Sequence, residues 1–122
     1  MWLFTQYGFY SVVCARDLQG GPNRIDPSAV MVRARCRRHI ESLQKRFPQF
    51  APLEIGDTAD TDYRFRIVVS KPVWVEVAQE LALEIDYGNF KDRALSHSGD
   101  ERYVHALHDV WAVMERLQRP SR

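Results

Sequence analysis

Residues 62–70 alternate along the chain in the way that a half-buried β-strand requires. Successive side chains of a strand face opposite sides of its sheet, so one side is buried and the other meets water. One side would carry the apolar residues Tyr63, Phe65, Ile67 and Val69, and the other Asp62, Arg64, Arg66, Val68 and Ser70. The pattern is typical of an antiparallel sheet and predicts a strand from Asp62 to Ser70.

A second segment, Val30 to Arg35, alternates in the same way and places Arg33 and Arg35 opposite its apolar residues. From Cys36 the apolar spacing changes to that of a helix, which Pro48 stops at about Phe47. Val32 also falls on the helical stripe. The helix could therefore begin earlier, with both arginines in its first turn instead of on a strand.

Two further segments complete the predicted sheet, and a linker follows the first of them. The β-branched and aromatic residues from Phe9 to Ala15 predict a strand, and residues 2–5 could extend it across a bulge at Gly8. Residues 17–29 contain several turn signals and predict a linker too long for a tight hairpin. Leu53 to Gly56 predicts a short edge strand.

Two more helices are predicted in the second half of the chain. Ser70 is a cap candidate, Pro72 fits the first turn, and an apolar stripe runs from Trp74 to Ile85 before Gly88 breaks the helix. Asp100 is the N-cap candidate of the last helix, which Pro120 ends. Its apolar face is predicted to be core and comprises Tyr103, Leu107, Val110, Trp111, Met114 and Leu117.

The resulting order of strand, strand, helix, strand, helix, helix favours an α+β two-layer sandwich. We expect an antiparallel sheet of three to four strands with helices on one face, ferredoxin-like or related. The 122 residues fit one domain, 1–122, and the ordinary apolar and charged content indicates a folded chain.

Charge and composition limit the classes of partner and the compartment. The 17 Lys and Arg balance 16 Asp and Glu, so no charge of the whole protein attracts nucleic acid or membranes, and any basic surface is local. The chain lacks a signal peptide pattern and a run of ~20 apolar residues. Cys14 and Cys36 have no disulfide-rich or zinc spacing. We therefore expect a cytoplasmic protein without membrane contact.

The candidate ligand site consists of the four arginines of the two alternating segments, Arg33, Arg35, Arg64 and Arg66. On neighbouring strands they would share one sheet face, where like charges repel unless carboxylates or a bound anion compensate. This predicts an anionic small molecule or a nucleic acid as ligand. Two alternatives stay open: a solvated face whose arginines pair with acids, and a dimer interface, where arginine is enriched.

A second candidate group of polar side chains follows the middle helix and comprises Asp86, Asn89, Lys91 and Asp92. The alternative interpretation is a structured connection between helices. In it Asn89 tolerates an unusual backbone conformation, and Asp92 pairs with a neighbouring Lys or Arg.

The chain offers no recognised catalytic or metal motif. His105 and His108 lie one helical turn apart beside Asp109, but no HExxH pattern, nucleophile motif or glycine-rich phosphate loop is present. We therefore assign no catalytic residue, no metal ligand and no cofactor.

Three functions are compatible with these residues. The arginine pattern without catalytic motifs favours a small binding or interaction module. The first alternative is an enzyme acting on phosphate esters or nucleic acid, with an arginine clamp and His97, His105 or Asp92 as acid or base. The second is a structural homodimer without ligand.

Several segments together resemble a family of small bacterial proteins of unknown function. They begin with MWLFT and GFYSVV near the N-terminus and continue with VRAR, DYRFR and IDYGNFKD, before the last helix with Tyr103, Trp111 and Leu117. The resemblance covers almost the whole chain. It implies no activity, substrate or catalytic residue.

Overall fold

Five antiparallel strands form one sheet in the computed structural model, which describes residues 1–120. They are β1 (Trp2–Thr5), β2 (Gly8–Arg16), β3 (Ile25–Ala34), β4 (Gly56–Asp57) and β5 (Phe65–Ser70). Their order across the sheet is β1-β2-β3-β5-β4. The α+β prediction is confirmed, although the sheet has five strands and not three to four.

Residues 1–120 also contain four helices: α1 (Arg37–Arg46), α2 (Lys71–Leu83), α3 (Phe90–Ser98) and α4 (Glu101–Glu115). A single 3₁₀ turn, Pro48–Phe50, follows α1. The described residues fall into two compact units, the first Met1–Asp86 and the second beginning at Tyr87. The single domain over residues 1–122 stays a prediction.

The first unit reads β-β-β-α-β-β-α, whereas a ferredoxin-like unit reads β-α-β-β-α-β. The element order therefore differs from the ferredoxin-like one and fits only the wider prediction of a related two-layer fold. Side chains from α1 and α2 pack on one face of the sheet and form the core with its inward residues. The fully buried members include Tyr10, Val32, Ile40, Leu43, Phe47, Phe50, Ile67 and Val77.

The N-terminal segment forms a hairpin and not one strand with a bulge. Thr5 pairs with Gly8 across the turn, and the Thr5 hydroxyl accepts the N–H groups of Tyr7 and Gly8 at 3.0 and 3.2 Å. Gly8 has φ +151°, a conformation that glycine adopts without a Cβ penalty. These contacts reverse the chain, so β1 lies beside β2.

The segment after β2 is also a hairpin connection. Arg16 pairs with Ile25, and the Asp17 N–H donates to the Arg24 carbonyl at 3.0 Å. The loop therefore covers residues 17–24. The predicted linker over residues 17–29 extended too far, because residues 25–29 belong to β3.

β3 runs through Val30, Val32 and Ala34, which are buried against the helices, and ends at Ala34. Cys36 caps α1 in an extended conformation, so the helix begins only at Arg37. Arg33 therefore lies on a strand, and Arg35 lies in the short connection between β3 and α1. The strand interpretation of this segment is confirmed for Arg33.

β5 is shorter than the predicted strand over residues 62–70. The Arg64 carbonyl accepts the Thr58 N–H at 2.8 Å, and the Tyr63 carbonyl accepts the Thr61 hydroxyl at 2.9 Å. These local bonds occupy the backbone ahead of Phe65, where pairing with β3 begins. The edge strand β4 likewise lies at Gly56–Asp57 and not from Leu53 to Gly56.

The second unit contains α3 and α4. The sequence did not predict α3, which begins after the cap Asn89 and ends at Gly99, a left-handed residue with φ +61°. Asp100 caps α4 by accepting the N–H groups of Arg102 and Tyr103, as predicted. Tyr103 and Leu107 are buried, but the rest of the predicted core face is exposed, and Trp111 is 56% exposed.

Among residues 1–120, no helix has the length and apolar character that crossing a membrane requires.

Candidate anion-binding face of the sheet

One row of directly paired residues crosses all five strands on the sheet face opposite α1 and α2. From edge to edge the row reads Trp2, Ser11, Arg33, Arg66 and Gly56. We call this side of the sheet the arginine face. Because side chains alternate along each strand, the inward neighbours Val32 and Ile67 place Arg33 and Arg66 outward, directly opposite one another.

Arg33 is held in place by Ser11 and by an aromatic ring. Its Nη2 donates to the Ser11 hydroxyl at 2.7 Å, and its Cζ lies 4.7 Å from the centre of the Tyr63 ring. Both contacts orient the guanidinium but leave its charge unneutralised. A cation over an aromatic face contributes about 0.5–1 kcal/mol at exposed sites.

Arg35 shares the same ring. Its Cζ lies 4.3 Å from the centre of Tyr63 and 5.7 Å from that of Phe9. Two guanidinium groups thus gather around one buried tyrosine, although Arg35 lies just beyond the end of β3. Among residues 1–120, no carboxylate forms an ion pair with Arg33, Arg35 or Arg66.

Arg66 also stabilises the loop before β5. Its Nη2 donates to the Tyr63 carbonyl at 3.0 Å and to the Thr61 hydroxyl at 3.1 Å, which fixes the loop before β5. Its Nε is buried without a hydrogen-bond partner in the described chain. An added Cβ on Gly56 would lie 3.1 Å from Arg66 Cγ, so the glycine leaves room for the arginine stem.

Arg64, unlike the other three arginines, forms an ion pair with a carboxylate. Its Nε donates to Asp57 Oδ1 at 2.6 Å, and this hydrogen bond holds the pKa of Asp57 below its ordinary value. The same bond raises the pKa of Arg64. Arg64 precedes β5, where its guanidinium is neutralised by the edge strand. The four predicted site residues therefore divide into three unpaired arginines and one paired arginine.

Aromatic rings occupy the β1–β2 side of the arginine face. Phe4 and Phe9 stack with centres 4.5 Å apart, and Trp2 meets Phe9 edge to face at 5.8 Å. Phe9 also lies 6.3 Å from Tyr63, which links these rings to the arginines. We call Trp2, Phe4 and Phe9 the aromatic platform. Trp2 is 69% exposed, so its ring is open to a ligand.

Sequence reasoning missed the platform and the position of Tyr63. Tyr63 was predicted to face the helices, but the strand begins after it and its ring lies among the arginines. The alternation of Trp2 with Phe4 and of Phe9 with Ser11 was present in the sequence. It becomes informative only once Gln6 and Tyr7 are read as a hairpin turn.

The second group of predicted site residues lies around the start of α3, where Asn89 and Lys91 make local contacts. Asn89 uses its side chain to accept the Asp92 N–H at 3.0 Å, as the N-cap of α3. Its φ is −137°, so the expected unusual backbone conformation is wrong. Lys91 Nζ lies 3.4 Å from His108 Nδ1 and over Trp111. Asp86 is the last residue of the first unit.

A partly buried polar cluster surrounds Glu84 after the end of α2. The carboxylate accepts the Tyr7 hydroxyl at 2.7 Å, the Gln6 amide at 3.3 Å and Arg46 Nε at 2.6 Å. Burial and the Glu84 hydrogen bond raise the pKa of Tyr7 to about 12. A tyrosine acting as a base would need a lowered pKa. The cluster therefore ties the β1–β2 turn to α1 and α2 and is structural.

In the part of the chain that the structure describes, no three His, Cys, Asp or Glu side chains gather closely enough to hold a metal ion. Comparison of the chain with protein-family models, curated proteins and solved structures finds no match.

Proposed function

We propose that the protein is a small cytoplasmic binding module whose arginine face takes an anionic ligand. The observation that carries the proposal is the pair Arg33 and Arg35, whose guanidinium groups share the Tyr63 ring without a carboxylate partner among residues 1–120. Arginine stays charged at any physiological pH, so the pair cannot relieve repulsion by losing a proton. A bound anion would relieve it.

The positions of the neighbouring residues support the same ligand class. Arg66 lies directly opposite Arg33 across β3 and β5, where like charges destabilise the pair of strands. Ser11 and Tyr63 hold Arg33 by two hydrogen bonds and one ring contact, which preorganises a planar donor for carboxylate or phosphate oxygens. The unfavourable free energy of repulsion among these arginines is then offset only when an anion is bound.

NMR titration with inorganic phosphate and pyrophosphate tests the proposal. The side-chain Nε–H signals of Arg33 and Arg35 and the amide of Ser11 should shift with saturation, while the Nε–H signal of Arg64 stays in place. The double variant Arg33→Gln/Arg35→Gln should lose the shifts. Arg64→Gln is the matched control, because Arg64 is already paired with Asp57.

Shifts of equal size in the double variant, or no shift in the native protein, would contradict anion binding at this face. The enzyme alternative would use Asp92, His97 or His105 as acid or base, and no geometric observation in the described residues favours it. The homodimer alternative predicts dimers in sizing chromatography without any added anion.

A further inference from the structure

The aromatic platform supplies the arginine face with a second kind of contact besides charge. Trp2 is largely exposed at the sheet edge, and Phe4 and Phe9 lie half-buried beside it. Flat aromatic side chains on an exposed sheet face are the surface on which unstacked nucleobases stack, and they accept every base because each has a π-face. An anion such as free phosphate would leave these rings in water.

The platform and the arginines are contiguous. The Phe9 ring contacts Trp2 and Phe4 on one side and Arg35 and Tyr63 on the other. A ligand that joins aromatic rings to phosphates by short links can therefore engage both halves at once. Nucleotides have this construction.

We propose that the arginine face binds a single strand of nucleic acid, with bases stacked on the aromatic platform and backbone phosphates held by Arg33 and Arg35. The inference rests on the proposed function and names its ligand. The net charge of +1 makes general attraction to polyanions weak, so binding would depend on these few side chains. A duplex would be a poor ligand, because its bases are already stacked and paired.

A second copy of the chain fits this face less well. A two-fold contact places the same patch on both subunits, so Arg33, Arg35 and Arg66 of the two copies would be brought together. None of the side chains named on the face carries a carboxylate to neutralise them. Phosphates supply the missing negative charge.

Binding is measured with four probes. The first is a fluorescently labelled uridine oligomer of about six nucleotides, within the usual length for one binding domain. The second is an abasic oligomer of the same length, which keeps the phosphates and lacks the bases. The third is uridine monophosphate, and the fourth is a duplex. We expect the base-bearing single strand to bind at least tenfold more tightly than each of the other three.

The variants separate stacking from charge. Trp2→Ala should weaken oligomer binding by about tenfold, a size typical of removing one stacking ring, without changing phosphate binding. Leu83→Ala is the control, because this apolar side chain is also exposed but lies on α2, on the opposite side of the sheet. Arg33→Gln/Arg35→Gln should abolish binding of both oligomers. Circular dichroism confirms that each variant stays folded.

In the NMR spectrum the indole N–H signal of Trp2 should shift on adding the oligomer, and that of Trp74, which is buried in the core, should not. Equal affinity for the abasic strand, for the mononucleotide or for the duplex would overturn the nucleic-acid inference while leaving anion binding intact. Failure of the oligomers, inorganic phosphate and pyrophosphate alike would overturn both. Dimer formation with no oligomer binding would instead support the second copy as occupant and contradict the inference.

Discussion

Gly8 shows how one backbone position can set the beginning of the sheet. Its φ of +151° lies where side chains with a Cβ are strained, and an added Cβ would lie 2.7 Å from His39 Cβ and overlap the histidine ring. His39 is buried beneath the turn and accepts the Phe9 N–H at 3.4 Å through Nδ1. The turn and α1 are therefore packed with no spare room at this position.

Gly8→Ala should lower the free energy of unfolding by about 2–4 kcal/mol, since it combines backbone strain with overpacking. Urea unfolding measures the change. Gly88→Ala is the control, because an added Cβ there meets nothing within 4 Å and the backbone is not in the left-handed region. Equal stability of the two variants would contradict the steric argument.

Tyr7 provides a residue-scale prediction about pH. Burial and the bond to Glu84 raise the pKa of Tyr7 from 10.0 to about 12, so the folded state favours the neutral phenol. The stability contributed by this preference is complete below about pH 10 and is lost as pH rises towards 12, because the unfolded state ionises first.

The stability difference between the native protein and Tyr7→Phe should therefore shrink between pH 8 and pH 11, since phenylalanine cannot ionise. Urea unfolding of both proteins at these two pH values gives the difference. An unchanged difference would contradict the raised pKa of Tyr7 in the folded state. Glu84→Gln offers a second check, because it removes the charge that contributes to the raised pKa.

At the scale of elements, α3 and α4 depend on their caps. The helix α3 is nine residues long and buries one side chain, Ala94, so capping contributes much of what stabilises its first turn. Its cap Asn89 accepts the Asp92 N–H through the side-chain amide oxygen at 3.0 Å. Asp100 satisfies two N–H groups at the start of α4.

Asp100→Ala should destabilise α4 by about 1 kcal/mol, the usual cost of removing an N-cap. Native-state hydrogen exchange should show faster exchange at the start of α4, with the sheet amides unchanged. Asp109→Ala, which removes an exposed acid inside the same helix, serves as control and should leave exchange nearly unaltered. Equal acceleration in both variants would rule out capping as the cause.

At the scale of the whole molecule, the balanced charge predicts a shallow salt dependence of oligonucleotide binding. With two or three phosphates neutralised by the arginine face, the slope of log K against log salt should be roughly −1.4 to −2.1, from about −0.7 per phosphate for single strands. Fluorescence anisotropy at several salt concentrations measures it. A slope several times steeper would indicate a larger basic surface than the arginine face.

The sequence by itself determined the features that depend on local periodicity and backbone chemistry. It predicted the α+β class, the outward direction of Arg33, the helix after Cys36 and the Asp100 cap, because a strand or helix pattern and a capping residue act over a few neighbouring positions. The helix α3 was missed because Ser96, His97 and Ser98 are polar residues typical of a loop and the helix buries only Ala94.

Only the tertiary structure decided which side chains meet across the sheet. Strand order and register place Trp2 and Phe4 beside Phe9. They also decide which arginine contacts the Tyr63 ring and which one pairs with Asp57. Arg64 and Arg66 occupy equivalent places in the sequence pattern, yet one is neutralised and the other lies opposite Arg33. Pairing across strands is a long-range contact, and local alternation contains no information about its partner.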